Sequence, residues 1–339
     1  TVPSLQGVYV LGYLIRRVLI GLLTLLLITM AIYALVRYMP GSPLSTDPAM
    51  MNPEKMPSEE DLERMKAAYG LDKSIPVAYA HWLGDMIQGD FGTSFNEKKP
   101  VRDVIGSRVV ATLLLTLPSL VLAYILSIPI GLYSTARSGK LDERMVGVFL
   151  YMLYAIPSFI AALFLQLLFA VKLDGTVFEL PLMGLKSDEY EMLTDTQKIW
   201  DRFTHMILPV ISFTYVSLAY YSRFIKANME EVIRQDYIRT AKAKGLGPVR
   251  IMIHHAFRNT LIPFVTLLGL SLPSLLGGAI ILEGIFNWPG MGQLYFDSIL
   301  TRDYPVIMGL TFALSVLTLL GQLIADLLYA FVDPRISYK

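Results

Sequence analysis

Six mostly apolar stretches, each close to the roughly 20 residues a helix needs to cross a bilayer, constrain this chain more than any other feature. They lie at about 18–36, 109–133, 146–171, 206–225, 260–282 and 306–328 of the 339 residues, bounds good to a few positions. Inside lipid no water is available to pair with backbone N–H and C=O groups, so each stretch must be helical. Charged residues make up 17% of the chain, against about a quarter in soluble domains. The expected fold class is therefore an all-α polytopic membrane protein with six transmembrane helices.

Lys and Arg near span ends set orientation. Arg16 and Arg17, then Arg137, Lys140 and Arg144, then a dense set in 223–258, then Arg335 and Lys339 fall on one side. The short loop 283–305 on the other side carries only Arg302. Both termini are thus expected in the cytoplasm. The first apolar run exceeds a signal-peptide core and no small-x-small cleavage site follows, so it reads as an anchor. Cysteine is absent, which excludes disulfides and thiolate metal sites. A net charge of +1 without a strongly basic patch gives no reason to expect nucleic acid as a partner.

No Asp, Glu, Lys, Arg or His stands well inside a span, with Glu283 and Asp326 near ends. Ion-coupled carriers and proton relays keep ionisable groups at membrane depth, so this argues against them. Interior polarity comes from hydroxyls such as Ser217, Tyr220, Tyr221 and Ser222, which are expected to bond i−4 carbonyls or neighbouring helices. Pro118, Pro129, Pro157, Pro209 and Pro273 are expected to kink their helices.

On the outer side, Ser58 to Asp61 resembles a capping box that opens a helix running to Tyr69, with Gly70 as its αL terminator. After Pro76 an amphipathic stretch (Val77, Tyr79, Trp82, Leu83, Met86, Ile87) follows, and Gly89 to Phe95 reads as a turn. Phe286, Trp288, Pro289 and Gly290 form a tight aromatic turn and a possible outer gate; Trp288 is either an interfacial belt anchor or part of a re-entrant gate. Loop 172–205 is polar and longer than a simple turn.

The loop 226–258 is basic yet punctuated. Glu230 and Glu231 are read towards a helix N-terminus, and Lys242 and Lys244 towards its C-terminus, complementing the dipole. Gly245 fits a C′ glycine and Pro248 the first position of the next helix. Ala241 and Ala243 are small enough for another protein surface to approach. Such a helix suits force transmission between rigid bodies.

Thr240-Ala241 followed by Gly245 resembles the EAA-type signature of ABC importer permeases. The run Asp236-Tyr237-Ile238-Arg239-Thr240-Ala241-Lys242-Ala243-Lys244-Gly245-Leu246, with Arg258-Asn259 and Leu261-Ile262-Pro263, is similar to the first permease of the oligopeptide/dipeptide/nickel subfamily. Leu14-Ile15-Arg16-Arg17, Pro40-Gly41-Ser42-Pro43, Tyr69 to Lys73, Gly89-Asp90-Phe91-Gly92, Phe286 to Gly290, Arg302-Asp303-Tyr304-Pro305 and Asp333-Pro334-Arg335 agree in order. The sequence departs from the generic pattern in carrying Arg239 where Glu would stand, and in a longer spacing from the glycine to the Leu-x-Pro element.

The resemblance implies the type I importer permease fold. Residues 1–36 would form the N-terminus and first span, 37–108 a helical extracytoplasmic insert, and 109–339 the core. It implies a second homologous permease, two cytoplasmic ABC ATPase subunits and an extracytoplasmic binding protein, with ATP and Mg held by the ATPases and no cofactor here. Tyr237, Arg239, Thr240, Ala241, Lys242, Lys244 and Gly245 would carry the ATPase contact. The implied cargo is a peptide, with a nickel chelate as the alternative, and a passive channel or ion-coupled carrier as a further rival. The sequence has no G-x-x-x-x-G-K-[ST] loop: Gly139-Lys140 is followed by Leu141, and position 134 is Ser. Driving energy must come from another chain.

Overall fold

A computed structural model describes residues 3–38, 63, 72–277 and 280–332. Among them the chain is helical, apart from an isolated bridge between Thr93 and Pro100. The elements are α1 (Pro3–Tyr38), α2 (Ile75–Ile87), α3 (Val101–Ala136), α4 (Leu141–Ala155) and α5 (Ser158–Gln166), which a π-helical turn Leu167–Lys172 extends. Then come α6 (Asp195–Val232), α7 (Asp236–Ala243), a turn Pro248–Arg250, a π-helical run Ile251–Phe257, α8 (Arg258–Gly277), α9 (Ile280–Ile285), α10 (Met291–Leu300) and α11 (Tyr304–Val332).

Four single helices among the described residues, in α1, α3, α6 and α11, are long and apolar enough to cross a membrane. The expected span 146–171 is not one straight helix: α4 and the segment from Ser158 to Lys172 meet at 93°. Pro157 offers no N–H to continue the ladder and holds Ile156 in an extended conformation (φ −78, ψ 121). Pro118, Pro129 and Pro209 lie inside uninterrupted helices, so among these prolines only Pro157 breaks its span. The expected span 260–282 maps onto α8 and the first turn of α9. The Ser58–Tyr69 helix and the motifs at Pro40–Pro43 and Asp333–Arg335 lie outside the described residues.

The chain divides into two compact units. The first contains α1, α2, α3 as far as Val109, α10, and α11 as far as Leu323. Here the amphipathic stretch after Pro76 is indeed a helix, held on α1: the Tyr79 hydroxyl lies 2.9 Å from that of Thr29, and the Tyr33, Tyr79 and Trp82 rings pack together. The Gly89–Phe95 turn is pinned by Asp303, which is 1% exposed. Asp303 accepts the Ser94 hydroxyl at 2.5 Å and the Phe95 and Asn96 amides at 3.1 and 3.2 Å. A buried carboxylate is tolerable only with such donors, and Asp303 thereby ties the Gly89–Phe95 turn to the start of α11.

The second unit, Val110–Gly290 with residues from Ile324 onward, has two apolar clusters. One gathers Ile225, Met229, Ile238, Ala241, Ile251 and Phe264; the other gathers Leu115, Ala162, Leu208, Leu282, Phe286 and Trp288. The buried hydroxyls of Ser119, Ser212 and Thr214 donate to carbonyls four residues back, whereas the Ser222 hydroxyl, expected to bond likewise, has no partner among the described residues. Loop 172–205 is folded onto this unit. The Gly184 amide donates to the Phe286 carbonyl at 2.8 Å, and a Thr194–Gln197 capping box opens α6.

Candidate coupling surface and outer loop

The α7 segment is short and polar, and alone it would not hold a helix. Ile238 (0% exposed) and Ala241 (6%) anchor it in the apolar cluster beneath. Its C-terminus is a Schellman motif. The Gly245 amide donates to the Lys242 carbonyl at 3.0 Å and the Leu246 amide to the Ala241 carbonyl at 3.3 Å, while Leu246 packs on the same cluster. Gly245 has φ +77, the left-handed conformation that glycine adopts without penalty. An ideal Cβ there meets nothing within 4 Å, so the constraint is conformational and not steric. Pro248 takes the first position of the next turn, as the sequence predicts.

Two expectations about this loop are overturned. Glu230 and Glu231 close α6, three residues before α7 begins, so they do not serve its N-terminus; Asp236 is the acidic residue in α7's first turn. Glu230 instead accepts the Ser138 hydroxyl at 2.8 Å and lies 3.7 Å from the Lys226 ammonium. Ala241 does not make room for another protein: it faces this chain's own core, where its small side chain lets α7 sit against α6 and the π-helical run. Ala241→Glu would therefore disrupt the fold itself. Tyr237, Arg239, Thr240, Lys242, Ala243, Lys244 and Gly245 are exposed. The Tyr237 hydroxyl accepts the Asn259 amide at 2.8 Å, a tie from α7 to α8 whose partner lay unread in the Arg258-Asn259 pair. The Arg239–Asp236 pair at 3.4 Å is almost fully exposed and so contributes little.

At the other end of α8, residues 286–290 are packed and not displayed. Trp288 is 0% and Phe286 1% exposed. The Trp288 indole donates to the Ala111 carbonyl at 2.8 Å, and Gln166 donates to the Leu182 and Ile285 carbonyls. A belt anchor would lie open to the interface, so that reading of Trp288 is excluded. Glu283, which the sequence places only near a span end, is fully buried at 0% and accepts the Thr112 hydroxyl at 3.2 Å. A Cβ on Gly290 would stand inside the envelope of its carboxylate. The Glu283–Gly290 spacing was the available signal. Among the described residues no group of three His, Asp or Glu is placed to hold a metal.

The sequence profile described as "Binding-protein-dependent transport system inner membrane component" matches residues 127–338. Its N-terminal companion matches residues 10–116. The chain belongs to this family of inner membrane transport components. Among its relatives, the oligopeptide transport system permease protein AppB of Bacillus subtilis is 41% identical over 328 residues, covering 96% of this chain and 99% of that protein. A putative peptide permease of Brucella ovis is 35% identical, with coverage of 96% and 99%. The glutathione transport system permease protein GsiC of Escherichia coli is 33% identical, with coverage of 97% and 100%. A solved structure titled as inward-facing conformations of the MetNI methionine ABC transporter matches with a TM-score of 0.51 and 18% identity. The match spans 68% of this chain and 96% of that one. It establishes the type I importer permease fold for this inner membrane component, which is a multi-pass transport subunit.

Proposed function

We propose that this chain is the membrane-spanning permease of an ATP-driven, binding-protein-dependent importer of peptides, and that α7 is where it receives the ATPase stroke. The observation that carries this is the construction of α7: a polar, exposed helix fixed rigidly to the ends of α6 and α8 by Ile238, Ala241, Leu246 and the Tyr237–Asn259 bond. A pushed element transmits motion only if it cannot slide on what it moves. Two cytoplasmic ATPase subunits, carrying ATP and Mg, would close against Tyr237, Arg239, Lys242 and Lys244. A second homologous permease would complete the pathway, and a binding protein would deliver cargo to the outer face. Both termini are cytoplasmic in this arrangement, the extracytoplasmic insert is residues 37–108, and this chain performs no catalysis. The helix bundle then alternates between outward- and inward-facing states biased by the ATPases.

The packed turn at Phe286, Trp288, Pro289 and Gly290 would serve as the outer gate, a plug whose removal demands a concerted move. Relatives named for oligopeptides and for glutathione support peptides as the cargo class. The test is uptake of labelled short peptides by the assembled complex in proteoliposomes. The reading expects uptake that stops when the partner ATPases are inactivated. Uptake that persists with inactive ATPases would contradict it.

A further inference from the structure

Arg223 lies at the end of the expected span 206–225, and its guanidinium stands 3.9 Å from the Tyr151 ring centre and 5.8 Å from that of Tyr154. Glu143, which receives the Lys226 ammonium at 2.6 Å, is eight residues before Tyr151 on α4, roughly 12 Å of helical rise. Arg223 and Lys226 are near neighbours on α6, yet Arg223 reaches inward to the tyrosines while Lys226 is held at Glu143. A cation packed against membrane helices at a span end needs a counter-charge or a wet cavity.

A cavity of about 890 Å³ lies in front of it. Glu143 and Glu230 line it, but both are occupied, Glu143 by Lys226 and Glu230 by Ser138 and Lys226. Arg223 and Arg144, also lining it, have no ion pair or hydrogen bond to any described residue. The Ser222 hydroxyl also lacks a partner among the described residues, but it is enclosed by protein and presents no donor to the cavity. What is left open is donors, so the fitting ligand is an oxyanion. Val148 lines the cavity and continues through Met145 (66% exposed) and Met152 (58%) as an apolar strip. Arginine and tyrosine at the end of a span, beside a bare apolar strip, match the head and tail of a lipid. Basic pockets between membrane helices are known hosts for anionic headgroups.

We propose that this cavity binds an anionic phospholipid, its phosphate on Arg223 and Arg144 and an acyl chain along Met145, Val148 and Met152. The assignment does not depend on the peptide reading. The experiment is native mass spectrometry of the assembled transporter titrated with phosphatidylglycerol, or with phosphatidylcholine of the same chains. Wild type should retain phosphatidylglycerol preferentially, and Arg223→Gln should weaken it roughly fivefold while leaving phosphatidylcholine unchanged. Arg144→Gln, on the exposed rim, should weaken it comparably and serves if Arg223→Gln fails to assemble. Equal retention of the two lipids, or phosphatidylglycerol binding unaffected by both substitutions, would overturn the proposal. So would displacement of the lipid by a short peptide, which marks a substrate subsite, or by inorganic phosphate alone, which marks a free-anion site.

Discussion

The α7 segment and the 283–290 turn flank α8 at its two ends, and each depends on a glycine, but for opposite physical reasons. Gly245 is needed for its backbone: φ is +77 and the space around it is open. Gly290 is needed for its missing side chain, because the Glu283 carboxylate occupies that space. Correspondingly, α7 shows most of its named residues to the outside, whereas Phe286 and Trp288 are fully enclosed. In the proposed reading, the one is a handle on a rigid base and the other a plug held in a socket. A handle must be strong in its anchorage and free on its face, so substitutions on its face alter communication and spare folding. A plug, in the proposed reading, would serve stability and gating at once.

The largest effect should follow removal of the plug. Trp288→Ala should cost about 3–5 kcal/mol, read as a lowered thermal midpoint of the purified protein in detergent. Next, Gly290→Ala should cost about 1–3 kcal/mol by overpacking, with Asn no better, since space is limiting there. The same pair of substitutions separates the two glycines. At Gly245, Ala should cost about 1 kcal/mol, and Asn, which tolerates the left-handed region, less. Equal rankings of Ala and Asn at both sites would erase the distinction drawn here.

A smaller effect concerns loop 172–205. The hydrogen bond from Lys186, at 2.6 Å, holds the Glu191 carboxyl below its ordinary range. A depressed acid stabilises the folded state above its unfolded value, about 4.3, and that contribution fades as pH falls through the folded value. Hydrogen exchange of 186–193 should be flat with pH, after correction for intrinsic rates, down to about 4.5 and quicken below it. Glu191→Gln should remove that step. Both groups are well exposed, so the change is expected to be slight.

The apolar runs made the helical content legible, though among the described residues four of the six expected spans are single apolar helices and a fifth is a bent pair; local chemistry marked the α7 cap, since glycine and proline there act through their own backbones. What stayed hidden depends on neighbours distant in sequence. The belt-anchor and plug readings of Trp288 differ only in whether Ala111 and Leu208 surround it. The direction of Ala241 depended on where α6 ends, which the unbroken charge pattern from Glu230 to Lys244 concealed. Pro157 was visible, but nothing near it distinguished a 93° break from the uninterrupted helices around Pro118 and Pro209. Arg223 was visible in the basic set from 223 onward, but its contact with Tyr151 depends on another helix.

The central claim is that α7 is the handle, and the absence of native cysteine makes a direct test clean. Single cysteines at Tyr237, Lys242 and Ala241 should be cross-linked, in the assembled transporter, to the partner ATPase subunits. The account predicts adducts from Tyr237→Cys and Lys242→Cys and none from buried Ala241→Cys. A transport-competent complex with no adduct from either exposed position, or with an adduct from Ala241→Cys alone, would contradict it.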